Sequence, residues 1–267
     1  MKIGFIGGGN MAEAIIKGVR GQESGVRREI LVSEPREDRR KFLEQSYGIK
    51  TTESNKQIVT SCDIIILAVK PQNMDTVVDE ISPDIMEDKT VVSIAAGITL
   101  PYLSSKLKTK KLIRVMPNTP ALVQKGMTVM SLCECFDEKD MAVVREIFMS
   151  IGEVLTLPEK YMNAVTAVSG SGPAFIALFV ESMIDAGVKL GLNEDNARSL
   201  AVQTAIGTAS LLDNGISPSK LREMVTSPGG TTAAGLRAFE EKGLKETVFA
   251  AIEAARNRSV ELGKGRE

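Results

Sequence analysis

The sequence predicts an α/β domain with a parallel sheet, followed by an all-helical domain. Up to about Pro158, short β-branched runs alternate with helix patterns. Beyond it, strand patterns stop and Ala- and Gly-rich segments of 3.6-residue period take over. The length, 267 residues, suits two domains, which places them at residues 1–160 and 161–267.

The elements of the first domain follow in order. Ile3–Ile6 is a short apolar strand ending in glycines, and Met11–Val19 is a helix with Asn10 as its cap and Glu13 in a capping-box position. Ile30–Ser33 is a second strand and Arg36–Gln45 a charged helix whose basic residues are interleaved with Glu37 and Asp38, as on a solvated face. Ile64–Val69 is apolar throughout, as expected of a strand buried on both faces. Val77–Ile81 lies in a helix. Strands follow at Thr90–Ile94, Lys111–Met116, Gly126–Leu132 and Gly152–Leu155, the last two separated by a helix over Glu138–Ser150.

Five helices make the second domain: Pro173–Leu190, Glu194–Leu212, Pro218–Met224, Thr231–Glu241 and Leu244–Leu262. Pro173–Val180 is apolar on every side and predicts burial all round, which a domain this small supplies only with a second subunit. Small residues at Ala201, Ala205, Gly207 and Ala209 permit close helix approach.

Composition narrows the chemistry. Net charge is −1, so no global field favours nucleic acid or an anionic membrane. The run Tyr161–Val180 is interrupted by Ser, Gly and Pro173, a poor membrane span. A strand pattern beginning at Met1 leaves no room for a signal peptide and predicts a cytoplasmic protein. Three cysteines, Cys62, Cys133 and Cys135, read as plain thiols, and no metal is expected. There is no histidine, so His-based triads, dyads and zinc sites are excluded, and a proton donor must be a carboxylic acid, Lys, Tyr, Cys, a hydroxyl or water.

Gly7-Gly8-Gly9-Asn10-Met11-Ala12 fits G-x-G-x-x-A between a strand and a helix, the fingerprint of a dinucleotide-binding Rossmann domain. Gly7 allows the tight turn, Gly9 the approach of a pyrophosphate, and Ala12 close packing of helix on strand. At the tip of the second strand, Glu34 suits the ribose hydroxyls of NAD, whereas Arg36 with Ser33 suits the 2′-phosphate of NADP; both readings stand. Three later strand ends, Ala68-Val69-Lys70-Pro71, Ala95-Ala96-Gly97 and the Asn118 turn of Met116–Pro120, form a candidate nicotinamide cradle, with flat rings lying on exposed backbone at Ala95–Gly97. In the helical domain, Ser169–Ala174 and Ser227-Pro-Gly-Gly-Thr-Thr232 each place hydroxyls and free N–H groups before a helix, which suits a carboxylate.

Together, Ala68–Pro71, Ser93–Gly97, Met116–Pro120, Ser169–Ala174 and Ser227–Thr232 resemble, in order and spacing, the successive motifs of pyrroline-5-carboxylate reductases. The resemblance runs from Met1 to about Leu262. It implies a Rossmann domain followed by a helical dimerisation domain like the C-terminal domain of 6-phosphogluconate dehydrogenase. It also implies a homodimer, in some members built into a decamer, and NAD(P)H-dependent reduction of 1-pyrroline-5-carboxylate to L-proline. It places Asn55 near the adenine ribose, Lys70 near the nicotinamide, Ser227, Gly229, Gly230 and Thr231 around the substrate carboxylate, and Thr232 on the ring nitrogen. Members commonly prefer NADPH and some use NADH; Glu34 departs from the NADPH pattern. A β-hydroxyacid dehydrogenase, with Lys189 as its nearest catalytic candidate, and a non-catalytic NAD(P) sensor remain as alternatives.

Overall fold

Apolar β-branched runs generate a single sheet. The structure is a computed structural model that describes residues 1–21, 28–133 and 138–264, with backbone alone at 138–140. Its strands are β1 (Lys2–Ile6), β2 (Glu29–Ser33), β3 (Lys50–Thr52), β4 (Ile64–Leu67), β5 (Thr90–Ser93), β6 (Leu112–Met116), β7 (Gly126–Leu132) and β8 (Gly152–Thr156). They lie in the order β3-β2-β1-β4-β5-β6-β7-β8. The first six are parallel. β7 corrects the all-parallel expectation: it runs antiparallel to β6 and carries β8 parallel to itself. The β6–β7 link is little more than one 3₁₀ turn, Thr119–Val123, too short for the crossover a parallel neighbour needs.

Alternation along the strands divides the core into two layers. Ile3, Phe5, Ile30, Val32, Ile64, Ile66 and Val92 pack on α1 (Asn10–Gly21), Leu43 of α2 (Glu37–Tyr47) and α6 (Glu138–Met149). Ile6, Leu31, Ile65, Leu67 and Val91 pack on α3 (Asn55–Ser61), α4 (Met74–Ile81) and α5 (Leu100–Lys106). All four residues of β4 are buried, as their continuous apolar run predicts. Burying each such Ile contributes about 1.5–3 kcal/mol over leaving it exposed. β3, α3 and α5 were not anticipated from sequence.

Two local expectations are corrected. Asn10 is the first helical residue rather than the cap, since the Gly9 carbonyl accepts the first helical N–H, that of Glu13, at 2.9 Å. The Glu13 carboxylate makes no capping box, because Tyr47 Oη and Arg39 draw it sideways. Of the cysteines, Cys62 is buried, which raises its thiol pKa, Cys133 is half-buried, and Cys135 lies outside the described residues.

The chain forms two units, one of Met1–Ser171 with the chain end from Ala254, the other of Gly172–Glu253. In the first, α7 (Met162–Val165) continues into a π turn at Thr166–Gly170, and Ser171 N–H donates to Thr166 O at 2.8 Å. Ser169 and Gly170 therefore lie within the π turn, and the Ser171 N–H, expected to be free for an anion, is drawn into it. The second unit comprises α8 (Gly172–Lys189), α9 (Glu194–Asp213), α10 (Pro218–Val225), α11 (Thr231–Glu241) and the start of α12 (Leu244–Gly263). α8 has no buried residue; Ile176 and Leu178 are 64% and 61% exposed. The expected all-round burial is not met within one chain. By length and composition alone, the helical stretch Glu159–Lys189 is apolar enough to cross a membrane, a weak signal that a core helix of a soluble protein gives as well.

Candidate active site

The strand order reverses between β1 and β4, where open α/β sheets bind ligands at the strands' carboxyl ends. Gly7 follows β1 there with φ +99°, and its N–H donates to Ser33 O at 2.8 Å. A Cβ at Gly7 would lie 2.7 Å from the Ala68 carbonyl oxygen. Ala68 itself donates to Ile6 O at 2.8 Å, so the ends of β1 and β4 are laced together. A Cβ at Gly8 would lie 2.9 Å from Leu43. At Gly9 it would meet nothing within 4 Å, and Gly9 and Asn10 are exposed at the start of α1. Tight packing behind Gly7 and Gly8 with open space over Gly9 fits a dinucleotide pyrophosphate, and Gly9, Asn10 and Met11 would hold it with helix N–H groups. Met11 is half-buried against the core layer beneath.

The Gly8 peptide is held from both ends, which sequence reasoning missed. Its N–H donates to Glu34 Oε2 at 2.9 Å, and its carbonyl accepts from Arg39 Nε at 2.6 Å. Arg39 also pairs with Glu13, which accepts from Tyr47 Oη at 2.7 Å. Burial raises the Glu13 pKa, but the bonds from Tyr47 and Arg39 outweigh it and hold the carboxyl below its usual range. Burial and then the Glu13 bond push the Tyr47 phenol up to about 12. Arg39 carried no signal beyond its place on a charged helix.

The tip of β2 corrects the phosphate reading in part. Ser33 is 2% exposed and its hydroxyl donates to Asn55 Oδ1 at 2.7 Å, so it is not open to a phosphate. Asn55 Nδ2 donates to Glu80 at 2.8 Å. Arg36 is exposed and pairs with Asp38, which raises the Arg36 pKa.

At the later strand ends, Val69 is half-buried and Lys70 is exposed, with no ion-pair partner among the described residues, before the 3₁₀ turn Pro71–Asn73. Ala95 and Gly97 are buried and Ala96 half-buried. A Cβ at Gly97 would lie 3.1 Å from the Leu262 backbone, so the end of α12 covers the backbone expected to be exposed. Asn118 is committed elsewhere: Oδ1 accepts Met127 N–H at 2.8 Å, and Nδ2 donates to Ser169 O and Oγ at 3.2 Å. It braces β7 and the π turn rather than offering its amide to a cofactor. Missed as well was Arg114, buried on β6, which pairs with Glu159 at 3.1 Å while Glu159 takes Leu100 N–H at 2.7 Å.

In the helical unit, Gly229 has φ +69° and turns the chain into α11. Gly230 N–H donates to Ser227 O at 3.0 Å, which removes it from the expected carboxylate donors. Among the described residues, the N–H groups of Gly229, Thr231, Thr232 and Ala233 have no backbone acceptor, and the Ser227, Thr231 and Thr232 hydroxyls have no partner. Ser227, Gly229 and Thr231 are exposed, and Thr232 is half-buried. Among the described residues, no group of three or more His, Cys, Asp or Glu could hold a metal ion.

A family model described as pyrroline-5-carboxylate reductase dimerisation matches residues 159–262, and one described as NADP oxidoreductase, coenzyme F420-dependent, matches residues 2–97. A pyrroline-5-carboxylate reductase of Synechocystis is 39% identical over 265 residues, 99% of this chain and 99% of the relative. This chain belongs to the pyrroline-5-carboxylate reductase family. A pyrroline-5-carboxylate reductase of Pisum sativum is 42% identical over 97% of this chain and 95% of its own. The crystal structure of a Plasmodium falciparum pyrroline carboxylate reductase, with NADP bound, superposes with a TM-score of 0.88 at 34% identity, covering 99% of this chain and 98% of the other. The dimerisation match contains α8 and the Ser227–Thr232 turn, and the N-terminal match contains the glycine loop, Glu34 and Asn55.

Proposed function

We propose that this chain is a cytoplasmic homodimeric enzyme that reduces 1-pyrroline-5-carboxylate to L-proline with NAD(P)H, the last step of proline synthesis. The carrying observation is the start of α11, where unpartnered N–H groups and three free hydroxyls converge at a positive helix end. Ser227 Oγ and the N–H groups of Gly229 and Thr231 hold the substrate carboxylate. Gly230 acts through shape: a Cβ there would run into Ser227 Oγ.

Thr232 Oγ orients the ring nitrogen. A Thr hydroxyl is too weak an acid to supply the imine proton near neutral pH, so it relays a proton from water. The bound dinucleotide supplies the hydride. A cyclic imine, once protonated, accepts hydride readily, so this chain's residues position the reactants and set the local charge. That division of labour suits a sequence without histidine. Lys70, Val69 and Pro71, with Ala68 and Ala96, border the nicotinamide end. The dimer covers α8, in the helical unit Gly172–Glu253.

The test is direct: purified protein, each reduced dinucleotide in turn and pyrroline-5-carboxylate, followed by loss of reduced-cofactor absorbance. Turnover with 3-hydroxyisobutyrate but not with the imine, or dinucleotide binding without imine reduction, would refute it.

A further inference from the structure

We infer that Glu34 makes this chain prefer NADH to NADPH. The inference rests on the reading that the glycine loop holds a nicotinamide dinucleotide. An acidic residue that takes the ribose 2′-hydroxyl ordinarily lies about 20 residues beyond the glycines. Glu34 lies 25 beyond Gly9 (34 − 9), which weakens its claim from sequence alone. The structure removes that objection. Glu34 directly follows β2, and its carboxylate sits on the glycine loop, accepting Gly8 N–H at 2.9 Å and Arg36 N–H at 3.1 Å. A carboxylate offers about four lone-pair sites, and these two bonds leave the others for hydroxyl donors.

NADPH differs from NADH by a ribose phosphate, which carries about −1.5 to −2 charge near pH 7. Brought to this tip, it would stand beside the Glu34 charge. The nearby cations are already engaged. Every Lys and Arg from Ser33 to Lys56 has a carboxylate within 4.0 Å: Arg36 has Asp38, Arg39 has Glu13, Arg40 has Glu53, Lys41 has Glu37, Lys50 has Glu29 and Lys56 has Asp84. The Ser33 hydroxyl is buried and bound to Asn55. Arg36, with a side chain 69% exposed, is the cation best able to leave its partner, because such surface pairs are weak. Glu34 is held by two backbone N–H groups and does not move aside as easily. Rejection of the phosphate thus comes from a fixed like charge, with every Lys and Arg of residues 33–56 already beside a carboxylate.

The experiment is calorimetric titration of NADH and NADPH, and of the fragments 5′-AMP and 2′,5′-ADP, into the full-length protein without imine. Wild type is expected to bind NADH at least about tenfold more tightly than NADPH, a gap of roughly 1.4 kcal/mol. Glu34→Gln should narrow that ratio to within about threefold by strengthening NADPH. Arg36→Ala should change NADPH affinity by less than about threefold. Tighter NADPH than NADH in wild type overturns the inference, as does a tenfold loss of NADPH on Arg36→Ala. If Glu34→Gln does not fold, the wild-type ratio and Arg36→Ala still decide. If neither dinucleotide binds, the glycine-loop reading itself fails, an outcome distinct from a reversed ratio.

Discussion

The sheet unit and the helical unit bury their apolar residues in opposite ways. β1, β4 and β5 are sealed between two helical layers of the same chain. In the helical unit, α8, α10 and α11 have no buried residue, and α9 buries only Ala197 and Ala201. A helix as apolar as α8 is not stable against water on all sides, so its solvent must come from elsewhere. The sheet unit carries its own core, whereas α8 is left without a buried residue in the single chain.

Leu178→Asp breaks that comparison most severely. In an isolated chain, a charge at this 61% exposed site would alter stability by no more than about 0.5 kcal/mol. In a dimer that covers α8, burying an unpaired carboxylate costs several kcal/mol. The expected result is a monomer by sedimentation at micromolar concentration and a kcat/KM lower by about 100-fold or more. A variant that remains dimeric and active would show that α8 faces something other than its twin.

Next in size is Gly7→Ala, which strikes the self-sufficient half. Its φ of +99° and the Ala68 carbonyl 2.7 Å from the added Cβ should cost about 1–3 kcal/mol and lower Tm by about 2–4 °C per kcal/mol. Gly9→Ala is the control, because its Cβ meets nothing within 4 Å. It should leave Tm within about 1 °C of wild type and weaken dinucleotide binding. Equal Tm losses in the two variants would mean that the loop's packing has been misassigned.

Much of this contrast was legible in the sequence. The β-branched runs at Ile64–Leu67 and Thr90–Ser93, the glycine loop and the bounds of α11 at Thr231–Glu241 follow from local pattern. What could not be read depended on partners far along the chain. β3 is three residues, Lys-Thr-Thr, held by pairing with β2, and α3 buries only Ile58 and Val59, too few to show a period. The reversed β7 has the same alternation as a parallel strand. Gly97 looks like an open turn until the end of α12 closes over it, and Asn118 looks like a ligand donor until Met127 and Ser169 take its amide. Glu34 was visible, but its seat on Gly8 N–H was not.

Thr232→Ala sharpens the comparison without disturbing either unit. The residue is half-buried with a free hydroxyl, so Tm should hold. Loss of the orienting group should lower kcat/KM with pyrroline-5-carboxylate about tenfold, roughly 1.4 kcal/mol. A drop of threefold or less, under about 0.7 kcal/mol, would remove Thr232 from the site.

The smallest effect belongs to the sheet unit's own titration. Tyr47 Oη donates to Glu13 at 2.7 Å, and burial together with that bond raises the phenol from 10.0 to about 12. A folded pKa above the unfolded one means stability that is complete below about pH 10 and is lost as pH rises toward 12. For Glu13 the sign is opposite: its lowered pKa gives stability present above the usual Glu range and lost as pH falls through the folded value. Both groups are partly solvated, and screening limits each to about 1 kcal/mol or less. Tyr47→Phe should flatten the alkaline fall of Tm and, by removing one donor to Glu13, soften the acid fall as well. Melting curves across pH at two protein concentrations measure this. If the comparison holds, the Tyr47 contribution will not depend on concentration, because every group involved lies in the unit that needs no partner. A Tyr47→Phe profile identical in slope to wild type at both pH extremes would instead mean that the Tyr47–Glu13–Arg39 cluster does not hold the glycine loop in solution.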